Sequence, residues 1–458
     1  STRKFTLQKC VSIKLWPINM IFVYDRIENA VPVPNGYPRN FQYIENTGRY
    51  FNKFGKEKTV HQLFEYSLPF KNSDDVEKDF IYPIHQFGAV EKMIGYDEQY
   101  SEFCFFHHIK PSTMKKLRDK KGTICIIAFE ESRMEFRVMV FLHNLCKKFD
   151  IPTEIVSYLT GHNYTEIKKY EKWCSISKQK PITFINTLSQ MYMKGGDLNK
   201  SNGTYVSQEE FQSYKHRKHQ FLCFNRRIRP PRYAVMAMLH HNNLVENNLI
   251  SFSIEDIPNL NCLGPDLTPD IHTMIKVMGR DNPLLETYMG YFDELKQISP
   301  LTVDFPNLLD VMGPGCENKE PYLNSYFSIV TETAFNERLG ITSEKIWRPM
   351  LHYHPFIIHG SPNTLDEIKK LGFKTFSPFI DESYDKEKNT AKRMQMFTDE
   401  VLRICSMDDE EIHQWYHSMK DILWHNRELI KEYGKKYVDF HSKVVLNTYN
   451  DIKDNLNV

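Results

Sequence analysis

"QFLCFNRRIRPPRYAVMAMLHHNNLVENNLISFS", residues 220–253, spells a strand, a helix and a second strand in succession. "QFLCFN" is a short apolar run rich in rings, a strand pattern. "RPPRYAVMAMLHHN" opens on two prolines, which suit a helix's first turn because the missing N–H is unpaired there anyway. "NNLISFS" returns to a strand pattern. Further along, "YFSIVTETAF" (326–335) reads as a strand, "SEKIWRPMLHYH" as a helix and "PFIIHG" as a strand. "TLDEIKKLGF" then reads as a helix and "KTFSPF" as a strand, while the proline-bearing 257–322 reads as irregular.

The first half carries the same alternation. "GTICIIAFEES", "RMEFRVMVFLHNLCKKF" and "IPTEIVSYL" fill residues 122–160 as strand, helix and strand, a spacing that implies a right-handed crossover and a parallel sheet. "FIYPIH" (80–85) and "LWPINMIFVY" (15–24) read as further strands. "KGGDLNKSNGTY" (194–205) has no apolar period and reads as a linker, followed by a polar helix over "QEEFQSYKHRKHQ" (208–220). Residues 389–452 show helical patterning throughout. The expected fold class is α/β: two facing Rossmann-like doubly wound domains with a helical C-terminus. The boundaries expected are 1–200 for an N-terminal acceptor-side domain and 201–388 for a donor-binding domain, with 389–458 packing back across both. Ligands of such sheets bind beyond the carboxyl ends of the strands, and the cleft between two domains is the default site.

Composition narrows the class. The chain of 458 residues, 41% hydrophobic and 26% charged, is large enough for two domains with real cores. With 59 basic against 58 acidic residues, its net charge of +1 gives no bulk attraction to nucleic acid or membrane. The nine cysteines form no C-x-x-C pair and several lie in apolar runs, which reads as buried, reduced thiols. No segment reaches the roughly 18 apolar residues of a membrane span, and no signal peptide is legible. A cytoplasmic protein is expected, in the host cytoplasm if the source is viral.

Two constellations fall at expected strand ends. In "CFNRRIRPPR", Asn225, Arg226, Arg227, Arg229 and Arg232 come off a strand just ahead of a helix. Guanidinium groups fork onto phosphate oxygens, and a helix N-terminus adds amide donors. A solvated basic loop is the plainer reading. In "TSEKIWRPMLHYHPFIIHG" (342–360), Ser343 or Thr342 caps a helix and Glu344 sits in its first turn, where the dipole favours a carboxylate. Lys345 is harder to explain by capping, because a cation there is mildly unfavourable. A diphosphate across the helix start would reverse that sign, and Glu344 would accept from ribose hydroxyls.

"VTETAFNE…ITSEKIWRPMLHYHPFIIHG" resembles the donor-site segment of GT-B glycosyltransferases of the fucosyltransferase and exostosin kind. "FLCFNRRIRPPR" is similar to a segment of glycosyltransferase-like proteins from large viruses and phages. The resemblance covers about 220–385. It implies that Glu344 contacts the nucleotide ribose, Lys345 the diphosphate, and Arg226 or Arg227 the departing phosphate charge, with Glu332 lining the same cleft. Ser343 stands where the motif usually has Thr, so the hydroxyl is kept. The donor implied is a UDP- or GDP-sugar, with no other cofactor. The acceptor is a glycan, a small molecule or hydroxymethylated cytosine in DNA.

An inverting transfer needs a base from the first domain. Glu130 and Glu131, ending "GTICIIAFEES", are the expected pair, with Asp97 behind them, and all three also fit solvated loop positions. His352, His354 and His359, or His107–His108, would make a metal site only with partners at ligand spacing, which the sequence lacks. No Asp-x-Asp motif is present, so metal-independent chemistry is expected. Two further readings stay open. The basic stretches "KKLRDKK" (115–121) and "KHRKH" (215–219) would track a DNA backbone, and the same fold would also serve a non-catalytic nucleotide- or phosphate-binding protein.

Overall fold

A computed structural model of the chain describes residues 21–24, 49–51, 57–59, 70–85, 106, 109–128, 136–160, 166–186, 204–254, 269–303, 318–332, 335 and 343–456. Two parallel sheets organise them into two Rossmann-like, doubly wound α/β domains followed by a helical C-terminus.

The first sheet has strands β1 (Ile21–Tyr24), β4 (Phe70–Asn72), β5 (Phe80–His85), β6 (Gly122–Ala128), β7 (Val156–Thr160) and β8 (Thr183–Asn186). Their order is β4-β1-β5-β6-β7-β8, all parallel, and a separate hairpin pairs β2 (Arg49–Phe51) with β3 (Glu57–Thr59). Helices α1 (Pro111–Arg118), α2 (Phe136–Lys148) and α3 (Ile167–Ile176) supply the crossovers. Ile124, Ile126, Val138, Met139, Leu142 and Tyr158 close its core.

After α4 (Gln208–Gln212), the second sheet uses β9 (His219–Arg227), β10 (Leu249–Ser253), β11 (Ser325–Thr331) and β12 (Phe356–His359) in the order β10-β9-β11-β12. Between β9 and β10 runs α5 (Pro230–His241), in which every residue from Tyr233 to Leu239 is buried. A helix apolar on all sides belongs inside a large core, which is where this one lies. Next come α6 (Ile271–Met278), α7 (Leu285–Gly290), α8 (Phe292–Ile298) and α9 (Glu320–Leu323). The chain then adds α10 (Glu344–Leu351) between β11 and β12, and α11 (Thr364–Lys370) after β12. Helices α12 (Thr390–Cys405), α13 (Asp409–Ser418), α14 (Lys420–Lys435) and α15 (Tyr437–Leu456) end it. Val401, Ile404, Trp415, Tyr416, Leu423 and Ile430 of these helices join the second core. Helix α15 instead returns to the first sheet, where Lys453 Nζ lies 2.6 Å from Asp79 Oδ1 and Leu456 packs on that core.

Three local expectations are corrected. "KTFSPF" is not a strand, because side chains take the backbone groups a ladder would use. Asn426 of α14 accepts from Lys374 N and donates to its carbonyl, each at 2.8 Å, while Glu382 accepts from Phe376 N at 2.6 Å. The helix expected over 208–220 stops at Gln212, and Arg217 turns inward to lie over the Tyr416 ring and donate to the Tyr322 and Ser325 carbonyls. The stretch read as irregular contains α6 to α9. Among the described residues no helix is long and apolar enough to cross a membrane. The described cysteines are free thiols; burial pushes Cys125 and Cys223 up to about 12.

Helix α6 ends on Gly279 at φ +84°, where an added Cβ would come within 2.7 Å of the Ala391 backbone in α12. Gly279→Ala is expected to lower unfolding stability by about 2 kcal/mol through left-handed strain and the clash. The denaturant midpoint measures it, and an unchanged midpoint contradicts this packing.

Candidate functional site

The second sheet reverses direction at β9. The chain moves outward from β9 to β10, then returns to the other side of β9 for β11 and β12. Right-handed crossovers on opposite sides of one strand place α5 and α10 on opposite faces. The carboxyl ends of β9 and β11 therefore open a crevice, the place where sheets of this kind bind ligands. A bulge marks the spot: β10 pairs Phe252 with Asn225 but Ser253 with Arg227, so Arg226 is an extra residue in β9.

Three of the sequence-predicted residues meet here in direct contact. Glu332 follows β11 immediately and extends its ladder, its N–H donating to the His359 carbonyl at 3.0 Å. Its side chain is 2% exposed. Ser343 Oγ lies 2.7 Å from both carboxylate oxygens of Glu332, and Ser343 N donates to Oε1 at 3.2 Å. The same hydroxyl caps α10 by accepting from Lys345 N at 3.3 Å, and it accepts from Lys345 Nζ at 3.2 Å. Lys345 Nζ stands 3.7 Å from Glu332 Oε2. Gly360 lines this cluster, since a Cβ there would stand 3.4 Å from Glu332 Cβ.

This pairing supplies the reason for Lys345 that capping lacks. A cation at a helix N-terminus is unfavourable by itself, but here a buried carboxylate sits across the cap. Sequence reasoning placed both residues at the edge without pairing them, because eleven positions separate Glu332 from Ser343 and no local pattern spans that distance.

The other expected residues are distributed as follows. Asn225 is wholly buried near the end of β9, with Nδ2 donating to Cys223 Sγ at 3.2 Å. Arg229 is the N-cap residue of α5, and its Nη1 donates to the Ile228 carbonyl at 3.2 Å. Arg226, Arg227 and Glu344 have described backbones at this same edge, while their side chains lie outside the description. Thr342, Glu130, Glu131, Asp97, His107 and His108 lie outside the described residues.

His352 and His354 pack against one ring, Tyr322, and His359 lies elsewhere. His354 bonds Ser328 Oγ at 2.7 Å and the Ser325 carbonyl at 2.6 Å, while His352 stacks on Tyr322 with centroids 3.9 Å apart. His359 is 1% exposed between Phe335 and Phe397, at 4.4 and 4.9 Å. Burial, with Arg393 nearby, lowers its pKa to about 3. Among the described residues no three His, Cys, Asp or Glu form a group able to hold a metal.

The two basic stretches are surface segments, several of whose side chains hold neighbouring parts of the chain. Lys116 donates to the Ser73 and Val76 carbonyls, Arg118 to that of Phe149, and Lys120 and Lys121 pair with Glu154 and Glu77. In the second stretch Arg217 is held by Tyr416, and His216 stacks on His413 at 3.9 Å.

No protein-family model and no curated protein matches the sequence. Among solved structures, the chain is similar to an alpha,alpha-trehalose-phosphate synthase (UDP-forming) from Burkholderia vietnamiensis at 12% identity and a TM-score of 0.35. That alignment covers 80% of this chain and 75% of the other. It is also similar to a UDP-forming synthase of the same kind from Burkholderia xenovorans at 10% identity and a TM-score of 0.34, covering 81% and 75%. Likenesses this low leave the site to be read from its own chemistry.

Removing one partner of a buried pair strands the other charge. Lys345→Met is expected to cost about 3 kcal/mol of unfolding stability. Combining it with Glu332→Gln is expected to recover at least half of that, as measured by a denaturant double-mutant cycle; a cycle with no coupling would show the contact to be energetically empty. The site also fixes a pH response. His359 has a folded pKa of about 3 against an ordinary 6.5, so its stabilising neutral form is present above 6.5 and stability falls as pH drops from there toward 3. His359→Phe is expected to flatten that acid limb in melting curves recorded across the range.

Proposed function

We propose that this chain is a glycosyltransferase that binds a nucleotide-diphosphate sugar at the carboxyl edge of the second sheet and passes the sugar to an acceptor hydroxyl. One observation carries the reading: Lys345, Ser343 and Glu332 converge at the point where the strand order reverses, with the amide groups of the α10 N-terminus beside them. An ammonium at a helix start suits a diphosphate. Ser343 bonds both oxygens of Glu332, so the carboxylate keeps a partner when the ammonium, 3.7 Å from it, turns to a phosphate.

In this reading Lys345, aided by Arg226 or Arg227, stabilises the charge that develops on the departing diphosphate. Glu344 holds the ribose hydroxyls. Arg229, Thr342 and Ser343 shape the phosphate side, Asn225 stands at the same donor edge, and Glu332 holds Lys345 in place. The acceptor enters from the first domain, where Glu130 or Glu131 takes its proton. The charge work rests on side-chain cations, and the transfer inverts the anomeric centre. A glycan or small-molecule acceptor is favoured over DNA, because a net charge of +1 falls far short of the basic footprint of a duplex binder. A non-catalytic nucleotide-binding protein is the second reading, favoured by the way Glu332 and Lys345 satisfy each other.

A thermal-shift panel of UDP, GDP and their sugars tests the site. Bound ligand is expected to stabilise the protein by about 2.7 kcal/mol at a hundred times its dissociation constant. The shift is expected to vanish in the Lys345→Met, Glu332→Gln double variant. No shift with any nucleoside diphosphate sinks the reading. Binding without release of nucleoside diphosphate, across a set of sugar acceptors, favours the non-catalytic one.

A further inference from the structure

On the opposite face of β11 from Glu332, the carboxyl edge carries a second set of polar groups. Thr331 is in register with His359 of β12. Ile329 is in register with Cys223, the last recorded pair of β9 and β11, and Thr331 and Asn225, each two residues further on, fall on the same face as that pair. Paired positions on parallel neighbours share a face. Asn225, Thr331 and His359 thus form one row across three adjacent strands, about 10 Å long at ordinary strand spacing.

All three side chains are 2% exposed or less. Among the described residues, Asn225 Oδ1, Thr331 Oγ1 and both ring nitrogens of His359 have no hydrogen-bond partner. Arg393 of α12 lies beside the row. It is 4% exposed, its guanidinium stands 4.6 Å above the Phe335 ring that also touches His359, and its Nε has no partner either. Its other nitrogens donate to the Glu387 and Phe335 carbonyls at 3.0 and 3.3 Å. Buried polar atoms are almost always bonded, and each exception is costly. Several of them, gathered at the edge where a doubly wound sheet binds its ligand, point to a bonding partner supplied from outside the chain.

The chemistry of the row selects that partner. Asn225 Oδ1 can only accept, a neutral imidazole accepts at one nitrogen and donates at the other, Thr331 does either, and Arg393 Nε only donates. The guest has to bring at least two donors as well as acceptors. Sugar or polyol hydroxyls do so; a phosphate dianion brings acceptors alone and would face the Asn225 oxygen.

We infer that Asn225, Thr331 and His359, with Arg393 at their side, form a hydroxyl-reading row that binds the sugar ring of the ligand while the Glu332–Ser343–Lys345 side takes its phosphates. The inference rests on the proposed nucleotide-sugar site and adds to it the residues that read the sugar.

The test uses wild type, Thr331→Val and His359→Phe, each melted alone, with UDP or GDP, with the matching nucleotide hexoses, and with free hexoses followed by saturation-transfer NMR. Both variants are expected to melt no lower than wild type when alone, since each removes orphaned polar atoms. They are expected to keep the nucleoside diphosphate shift and to lose about tenfold in hexose-dependent affinity for each hydrogen bond removed. Variants that melt lower yet keep the full hexose increment would show the row to be structural and overturn the inference. If no nucleotide binds wild type, the proposed function fails, and the free-hexose arm still decides the row. Hexose signals lost in both variants support it, and no hexose signal on wild type overturns it.

Discussion

The candidate site depends on the parallel pairing of β9 with β11. That ladder aligns Phe221 with Phe327 and Cys223 with Ile329, and the alignment places Asn225, Thr331 and Glu332 at one edge. A slip of one residue would exchange the faces of β11, turning Glu332 toward the Thr331 side and Thr331 toward α10. The rings and aliphatic side chains below the edge hold the register, because each is buried on its face of the sheet. Phe221, Leu222, Phe327 and Ile329 are all 2% exposed or less.

Above that apolar base the edge becomes polar within one residue. Val330 belongs to the core, Thr331 carries a buried hydroxyl without a partner, and Glu332 carries a buried carboxylate. The two faces treat their polar groups differently. On the α10 side, Ser343 and Lys345 bond the carboxylate, and the helix cap and the ion pair share one hydroxyl. On the other side the polar groups are closed in beside Phe335 and Phe397 with their bonding capacity unmet. A sheet needing only stability would place Val at 331 and an apolar ring at 359, so the composition of the edge departs from what packing alone favours.

Much of the architecture was legible because hydrophobic periodicity is local. The runs at 80–85, 122–160 and 220–253 became the strands and helices that their patterns describe. Where reading failed, a distant side chain had taken the backbone. "KTFSPF" has the composition of a strand, but Asn426 and Glu382 bind its amides, and neither is visible from residues 374–379. Arg217 stands in a run of basic residues that reads as exposed, yet Tyr322, Ser325 and Tyr416 draw it inward from far along the chain. The proline-bearing stretch before β11 hid several short helices, because a helix of two turns offers too few apolar positions to establish a period.

The sequence alone determined that two alternating α/β patterns are followed by a helical tail, that Arg226, Arg227 and Glu332 fall at strand ends, and that Ser343 caps a helix bearing Lys345. These follow from spacing and from the local hydrogen-bonding habits of single residues. Tertiary structure decided that Lys345 pairs with Glu332, that Asn225, Thr331 and His359 share a row, and that His359 lies apart from His352 and His354. Those outcomes depend on strand order and register. Order and register are set by the burial of whole faces across chain separations of tens to hundreds of residues, which no local pattern records.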